Sequence, residues 1–144
     1  MKKNKKKYGF TLVELLISIS IIAILSVVLS VSFSRAQKSG RDQRRIEDLK
    51  AIQTAAEQYY LLSGSYLDSS SKYAGSVSWK VGSQTVLQSF PIDPKNSGTY
   101  IYVPSNITAM SYCVCAKMEN PKTGNSDSGC TFANTGYFCI KNQQ

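Results

Sequence analysis

The first strong pattern along the chain is an apolar run at residues 10–33, in which the only charged residue is Glu14. In a helix this run covers roughly 36 Å at about 1.5 Å per residue, which is enough to cross a bilayer. A charged side chain in such a helix costs about 2.5–3.5 kcal/mol at the centre of the bilayer and less near its edge. The pattern therefore predicts a membrane-spanning helix in which Glu14 needs a partner.

The helical period continues after Phe33, although the composition becomes charged. Apolar residues recur at steps of three and four along one side of the helix: Ile46, Leu49, Ile52, Ala56, Tyr59 and Leu62. Such a stripe is typical of an amphipathic helix that packs on a globular domain. Gly64 follows the stripe, and glycine commonly provides the left-handed cap of a helix. We therefore expect one helix over residues 10–62, with 10–34 crossing the membrane and 35–62 amphipathic.

Short β-like segments separated by turns occupy the rest of the chain, residues 63–144. Runs of β-branched and aromatic residues predict strands at 77–81, 84–87, 100–103, 112–116 and 137–141. Alternation in TYIYV, residues 99–103, and SYCVC, residues 111–115, predicts strands with one face on the helix and the other face exposed. The predicted fold class is therefore α+β, a long N-terminal helix packed on a small antiparallel β-sheet.

The formal net charge of +8 is concentrated at the N-terminus. Residues 1–9 contain five lysines and no acid, whereas the chain from Ala51 onward contains six lysines and five acids. By the positive-inside rule, the N-terminus lies in the cytoplasm and the segment after the apolar run lies outside. The nearly neutral body argues against nucleic acid as a direct partner, because phosphate binding requires clustered cations.

The sequence does not predict an enzyme. It contains no histidine, which is the commonest general base and metal ligand. The usual motifs for a serine nucleophile, a zinc protease or a nucleotide-binding loop are also absent from the sequence. We therefore expect no catalytic residue and no cofactor.

A lysine-rich leader that ends in GFTLVE at residues 9–14 resembles the class III signal of type IV pilins and type II secretion pseudopilins. The resemblance implies that prepilin peptidase cuts after Gly9, removes residues 1–9 and N-methylates Phe10. It also implies a partner for Glu14, the new amino group of Phe10 on a neighbouring filament subunit. An ordinary signal peptide or a plain anchor is the alternative, but Gly9 precedes the apolar run, whereas a signal peptidase site would follow it.

The resemblance continues, more weakly, through residues 41–66 and the segment FPIDPKNSGTYIYV, which are similar to G-type major pseudopilins. It implies a structural subunit of a type IV pilus-like filament, with residues 10–34 in the filament core. Its partners are then identical or similar subunits, an inner-membrane assembly platform and an ATPase, and the mature protein lies in an extracellular or envelope-spanning filament. Two alternatives remain, a pseudopilin acting in protein export and a membrane-anchored binding module such as a DNA-uptake receptor.

Four cysteines near the end of the chain, Cys113, Cys115, Cys130 and Cys139, predict two disulfides, because the outer side of the membrane is oxidising. A zinc site or a Cys-x-Cys redox site is the alternative, although Cys-x-Cys is not the usual zinc spacing. Cys113 and Cys115 point the same way from one strand, about 6.6 Å apart, so each should reach a different later cysteine. We favour the nested pairing, Cys115–Cys130 with Cys113–Cys139, and no metal.

The same segment favours a surface filament over a pseudopilus. G-type pseudopilins, which part of this chain resembles, tend to close this region with calcium. Glu119 and Asp127 are the only acids in the segment, and two carboxylates are too few for a calcium cage. Two covalent bridges would suit a loop that is exposed outside the cell.

Overall fold

The computed structural model describes residues 9–67, 69–133 and 135–143. Its first element is the helix α1, Leu12–Ser63. The strands that follow are β1 (Trp79–Val81), β2 (Gln84–Leu87), β3 (Tyr102–Ser105), β4 (Cys113–Lys117) and β5 (Tyr137–Lys141), with short 3-10 helices at Ser70–Tyr73 and Pro121–Thr123. The predicted α+β class is confirmed. Except for Gly9, the predicted leader lies outside the described residues.

The helix α1 ends where the sequence predicts. Gly64 has a φ of +77°, and its N–H donates to the carbonyl of Tyr60 at 2.8 Å. Glycine adopts this left-handed conformation without the steric cost that a Cβ brings. The helix begins at Leu12, two residues later than expected, because Thr11 occupies the capping position described below.

The chain divides into two compact units, Met1–Gln37 and Lys38–Gln144. In the first unit, large apolar side chains of α1 are exposed, for example Leu12 at 79%, Ile21 at 52% and Leu29 at 67%. By length and composition this helix can cross a membrane. An apolar surface of this extent is typical of contact with lipid or with other protein subunits.

The larger buried cluster among the described residues of the second unit lies between α1 and the strands. Helix residues Leu49, Ile52 and Ala56 belong to the same buried cluster as Val114 and Ile140 of the sheet. The predicted apolar stripe is confirmed at these three helix positions. It is wrong for Leu62, which is 47% exposed in the last turn of α1.

The main sheet is antiparallel, with the strand order β3-β4-β5, and β1 and β2 form a separate hairpin. The prediction that β4 has one exposed face is wrong. Val114 and Ala116 are buried in the core, and Cys113 and Cys115, which alternate with them, are buried as well. The segment that carries Cys130 covers this second face through the disulfides.

Candidate functional site

The predicted processing point lies in open backbone just before α1. A Cβ built onto Gly9 would meet no atom within 4 Å, and Phe10 is 76% exposed. Neither residue is part of the helix, which begins at Leu12. The Gly9–Phe10 bond is therefore sterically accessible, as a peptidase substrate must be. Cleavage at this bond stays a prediction.

Glu14 has a partner within its own chain. Its Oε2 accepts hydrogen bonds from the Thr11 N–H at 2.9 Å and from Thr11 Oγ1 at 2.8 Å. The N–H of Glu14 donates to Thr11 Oγ1 at 3.3 Å. This reciprocal arrangement is a capping box, which satisfies N–H groups that have no partner inside the first helical turn. The T-x-x-E spacing signals the box in the sequence, but the sequence analysis did not use it.

A buried arginine links α1 to a loop that is distant in sequence. Arg45 is fully buried, and its Nε and Nη2 donate to the two carboxylate oxygens of Asp93 at 2.7 and 2.9 Å. Its Nη1 donates to Asp42 at 2.8 Å and to Glu119 at 3.2 Å. We call Arg45 and these three carboxylates the Arg45 network. A buried charge is tolerated only when its partners are as well placed as these.

The carboxylates of the Arg45 network also hold backbone groups of two loops. Asp42 accepts from the N–H groups of Glu119 and Asn120 at 2.9 and 2.8 Å, and Asp93 accepts from the N–H of Lys95 at 2.8 Å. The network therefore fixes the loop after β4 and the loop after residue 90 to the same side of α1. Each of these carboxylates accepts hydrogen bonds from several donors.

Hydrogen bonds keep two of these carboxylates ionised. Arg41 donates to both oxygens of Glu119, at 2.6 and 2.7 Å, and these bonds lower the pKa of Glu119 to about 2. Burial alone would raise the pKa of Asp93, but the hydrogen bonds from Arg45 and from the Lys95 N–H hold it below its ordinary value. Glu119 is one of the two acids that the sequence analysis judged too few for a calcium cage, and in the structure it binds two arginines.

The sequence did contain a signal for the Arg45 network. Asp42 and Arg45 extend the spacing of three and four residues that continues through Leu49, Ile52 and Ala56. They therefore lie on the buried side of α1, and both are at most 3% exposed. Their charge led to their omission from the apolar stripe.

The four cysteines form two disulfides, Cys113–Cys130 and Cys115–Cys139. The nested pairing that the sequence favours, Cys115–Cys130 with Cys113–Cys139, is wrong. Strand register is the physical reason, because Cys115 lies directly opposite Cys139 in the β4–β5 ladder, with their Cα atoms 4.1 Å apart. Cys113 instead lies opposite Lys141, so its partner comes from the loop.

The loop that supplies Cys130 is built by side-chain contacts to backbone. Asp127 accepts from the N–H groups of Gly129 and Thr131 at 2.8 and 2.9 Å, which fixes the turn around Cys130. The amide of Asn125 donates to the Cys139 carbonyl at 3.0 Å and accepts from the Cys139 N–H at 2.7 Å. The loop therefore runs beside β5 like a further strand.

Gly124 allows this loop to approach β5. A Cβ at Gly124 would lie 2.6 Å from the Tyr137 carbonyl oxygen and 2.8 Å from the Tyr137 N. We expect Gly124→Ala to lower the free energy of unfolding by about 1–3 kcal/mol, because the backbone must shift. Gly129→Ala in the same loop is the control, since its Cβ would have only an ordinary contact of 3.4 Å. Urea unfolding followed by Trp79 fluorescence measures both variants, and equal stabilities would contradict the steric argument.

Comparison with known proteins identifies the N-terminal segment. Residues 4–30 match the family model described as the prokaryotic N-terminal methylation motif. Searches of curated proteins and of solved structures gave no match. The matched residues include Gly9, Phe10 and Glu14, and this motif implies a membrane-anchored precursor that prepilin peptidase processes. Residues 4–30 therefore have the sequence of a class III signal peptide, as type IV pilin-like precursors do.

Proposed function

We propose that this chain is a structural subunit of a type IV pilus-like filament. It is made as an inner-membrane prepilin, cut after Gly9 and N-methylated at Phe10. The observation that carries the proposal is the methylation motif at residues 4–30, followed by a helix whose apolar side chains are exposed. In this scheme residues 1–9 are the leader, 10–34 pass from the membrane into the filament core, 35–62 form the amphipathic half and 63–144 the outer domain.

The capping box prepares Glu14 for a contact between subunits. Both Thr11 donors use Oε2, and among the described residues no hydrogen bond to Oε1 occurs. Removal of residues 1–9 would create a cationic amino group on Phe10. In a filament, this group on one subunit can pair with Glu14 Oε1 of the next. A subunit docked at a different height would leave both charges unpaired in an apolar core, which is costly.

The two disulfides support a surface filament over the alternative, a type II secretion pseudopilin acting in export. They lie in the outermost segment proposed for the subunit, and each typically adds about 2–4 kcal/mol by restricting the unfolded chain. The nearly neutral body argues against the third candidate, a membrane-anchored DNA-uptake receptor. The partners of the proposed filament are prepilin peptidase, similar subunits, the inner-membrane assembly platform and its ATPase.

Immunogold electron microscopy of intact cells tests this proposal. Antibodies against the loop at residues 119–130 should label filaments that extend from the cell surface. Glu14→Ala should abolish these filaments while the subunit remains in the membrane, because the charge that sets subunit height is lost. Ser20→Ala is a matched control, since the Ser20 hydroxyl donates to the Ile17 carbonyl of its own helix at 2.7 Å.

Two outcomes would contradict the proposal in different ways. Label confined to the envelope at native expression, with export of other proteins lost on deletion, would assign the chain to the pseudopilins. Filaments of normal number from Glu14→Ala would instead show that Glu14 has only its capping role.

A further inference from the structure

The four cysteine sulfurs form one compact cluster. All four Sγ atoms lie within 4.8 Å of one another, and Cys113, Cys115 and Cys139 are at most 3% exposed. Two contacts between the disulfides are short, Cys115 Sγ to Cys130 Sγ at 3.5 Å and Cys113 Sγ to Cys115 Sγ at 3.9 Å. Four thiolates around a tetrahedral zinc ion, with Zn–S near 2.3 Å, are separated by about 3.8 Å. These two distances between sulfurs of different disulfides are therefore already close to the sulfur–sulfur distance in such a site.

We propose that the chain binds one zinc ion through these four cysteines when both disulfides are reduced. A dithiol reductant gives two electrons and two protons to each disulfide and becomes a disulfide itself. With a phosphine, the phosphine gives the two electrons and becomes a phosphine oxide, and water supplies the oxygen atom and the two protons. The zinc ion then displaces the four thiol protons and is bound by four thiolates. Two equivalents of a disulfide oxidant each take two electrons from the thiolates and two protons from solvent and leave as dithiols, which restores both disulfides and releases the zinc ion. The zinc ion and the disulfides are therefore alternative ways to close the same segment.

Contacts other than the disulfides hold the four ligand positions. The β4–β5 register keeps Cys115 opposite Cys139, and Cys113 lies on the same face of β4 two residues away. Asp127 fixes the turn around Cys130. The separation between the two sulfurs of each bonded pair must increase on reduction, and rotation of the cysteine side chains can provide this movement without a change of register.

The chemistry of the cluster selects a soft divalent metal. Thiolates favour zinc over calcium or magnesium, and a buried tetrahedral set without an open position is typical of structural zinc. The precursor is made in the cytoplasm, where cysteines are kept reduced. A zinc ion would stabilise the C-terminal sheet in the cytoplasm. The two disulfides would replace the zinc ion after this segment has crossed the membrane. This inference does not depend on the filament proposal.

Metal titration of the full-length chain in detergent tests the site. The protein is reduced with a phosphine without oxygen and titrated with Co²⁺, followed by Zn²⁺. We expect one equivalent of Co²⁺, the visible absorption of tetrahedral cobalt with thiolate ligands, and its displacement by one equivalent of Zn²⁺. The oxidised chain should bind neither metal.

Variants and denaturant separate a folded site from loose thiol binding. Cys130→Ser should weaken zinc affinity by more than the roughly 10–100-fold that loss of a supporting contact costs a metal site. Ser128→Ala, an exposed neighbour in the same loop, should leave the affinity unchanged. Urea should lower the affinity of the reduced wild type, because the ligand positions depend on the fold.

Three results would overturn the proposal. These are an octahedral cobalt spectrum, an unchanged zinc affinity of Cys130→Ser, and equal zinc affinities with and without urea. A reduced chain that loses its β-structure and does not regain it on addition of zinc would also overturn it.

Discussion

Replacing Gly9 by valine should leave the whole chain at its precursor mass, with residues 1–9 retained and Phe10 unmethylated. The structure separates this effect from a folding defect, because a Cβ at Gly9 would meet no atom within 4 Å. Failure to remove residues 1–9 would then be due to the peptidase, which is expected to require a small residue before the cut. Intact-mass measurement of membrane-extracted protein, from cells with an active prepilin peptidase, gives the result directly.

Gly40 provides the matched control for this substitution. It is a second glycine of the same chain at which an added Cβ meets no atom within 4 Å, and it lies within α1. Gly40→Val should therefore be processed like the wild type. Processing of Gly9→Val to the same mature mass would refute the assigned cleavage point, and retention of residues 1–9 by the wild type would refute cleavage itself.

The parts of the fold that the sequence predicted are those set by local patterns. The three- and four-residue spacing through Leu49, Ile52 and Ala56 and the stop at Gly64 depend on neighbours within one or two turns. The strands Gln84–Leu87 and Tyr137–Lys141 were predicted with the same bounds as observed. For these elements, short-range pattern and tertiary structure favour the same conformation.

The parts that the sequence did not predict depend on contacts between distant segments. Arg45 meets Asp93 and Glu119, which are 48 and 74 residues away, and no local spacing brings them together. The disulfide pairing depends on which residue of β5 lies opposite Cys115, so an error of register changes the partner. The second face of β4 was predicted to be exposed from the alternation of its residues. No local pattern shows that the later segment with Cys130 covers this face.

Glu14 has a local role that the apolar pattern alone did not predict. A lone carboxylate in an apolar run is costly, and the resemblance to pilins implied a partner for it on a neighbouring subunit. The structure adds a local role, since Thr11 and Glu14 cap the first turn of α1 through hydrogen bonds of 2.8–3.3 Å. The two roles are compatible, because the capping box orients the carboxylate that would meet the neighbouring subunit.

Replacing Arg45 by methionine should lower the free energy of unfolding of the second unit by about 3–5 kcal/mol, the range for removing one partner of a buried ion pair. Methionine fills much of the same volume, so the loss is mainly electrostatic. The substitution leaves Asp42 and Asp93, which are 3% and 4% exposed, without their principal cation. Urea unfolding followed by the fluorescence of Trp79, which is 1% exposed, measures the change.

Arg44→Met is the matched control, because Arg44 is the exposed neighbour of Arg45 on the same helix. An exposed substitution of this kind should change stability by no more than about 0.5 kcal/mol. The free energy of unfolding of Arg45→Lys should lie between those of Arg44→Met and Arg45→Met. An ammonium group keeps the charge but cannot bind both oxygens of Asp93 as a planar guanidinium does. Equal stabilities of Arg44→Met and Arg45→Met would show that the Arg45 network does not stabilise the fold.

The pH dependence of Arg45→Met distinguishes lost charge pairing from lost packing. In the wild type the pKa of Asp93 is lowered in the folded state, so its contribution is present at neutral pH and is lost as the pH falls through that lowered pKa. Without the hydrogen bonds from Arg45, burial should raise the folded-state pKa of Asp93, and protonation then relieves its unpaired charge as the pH falls through that raised pKa. The stability difference between wild type and variant should therefore be largest near neutral pH and shrink in acid. A difference that is constant with pH would mean that methionine costs stability through packing alone.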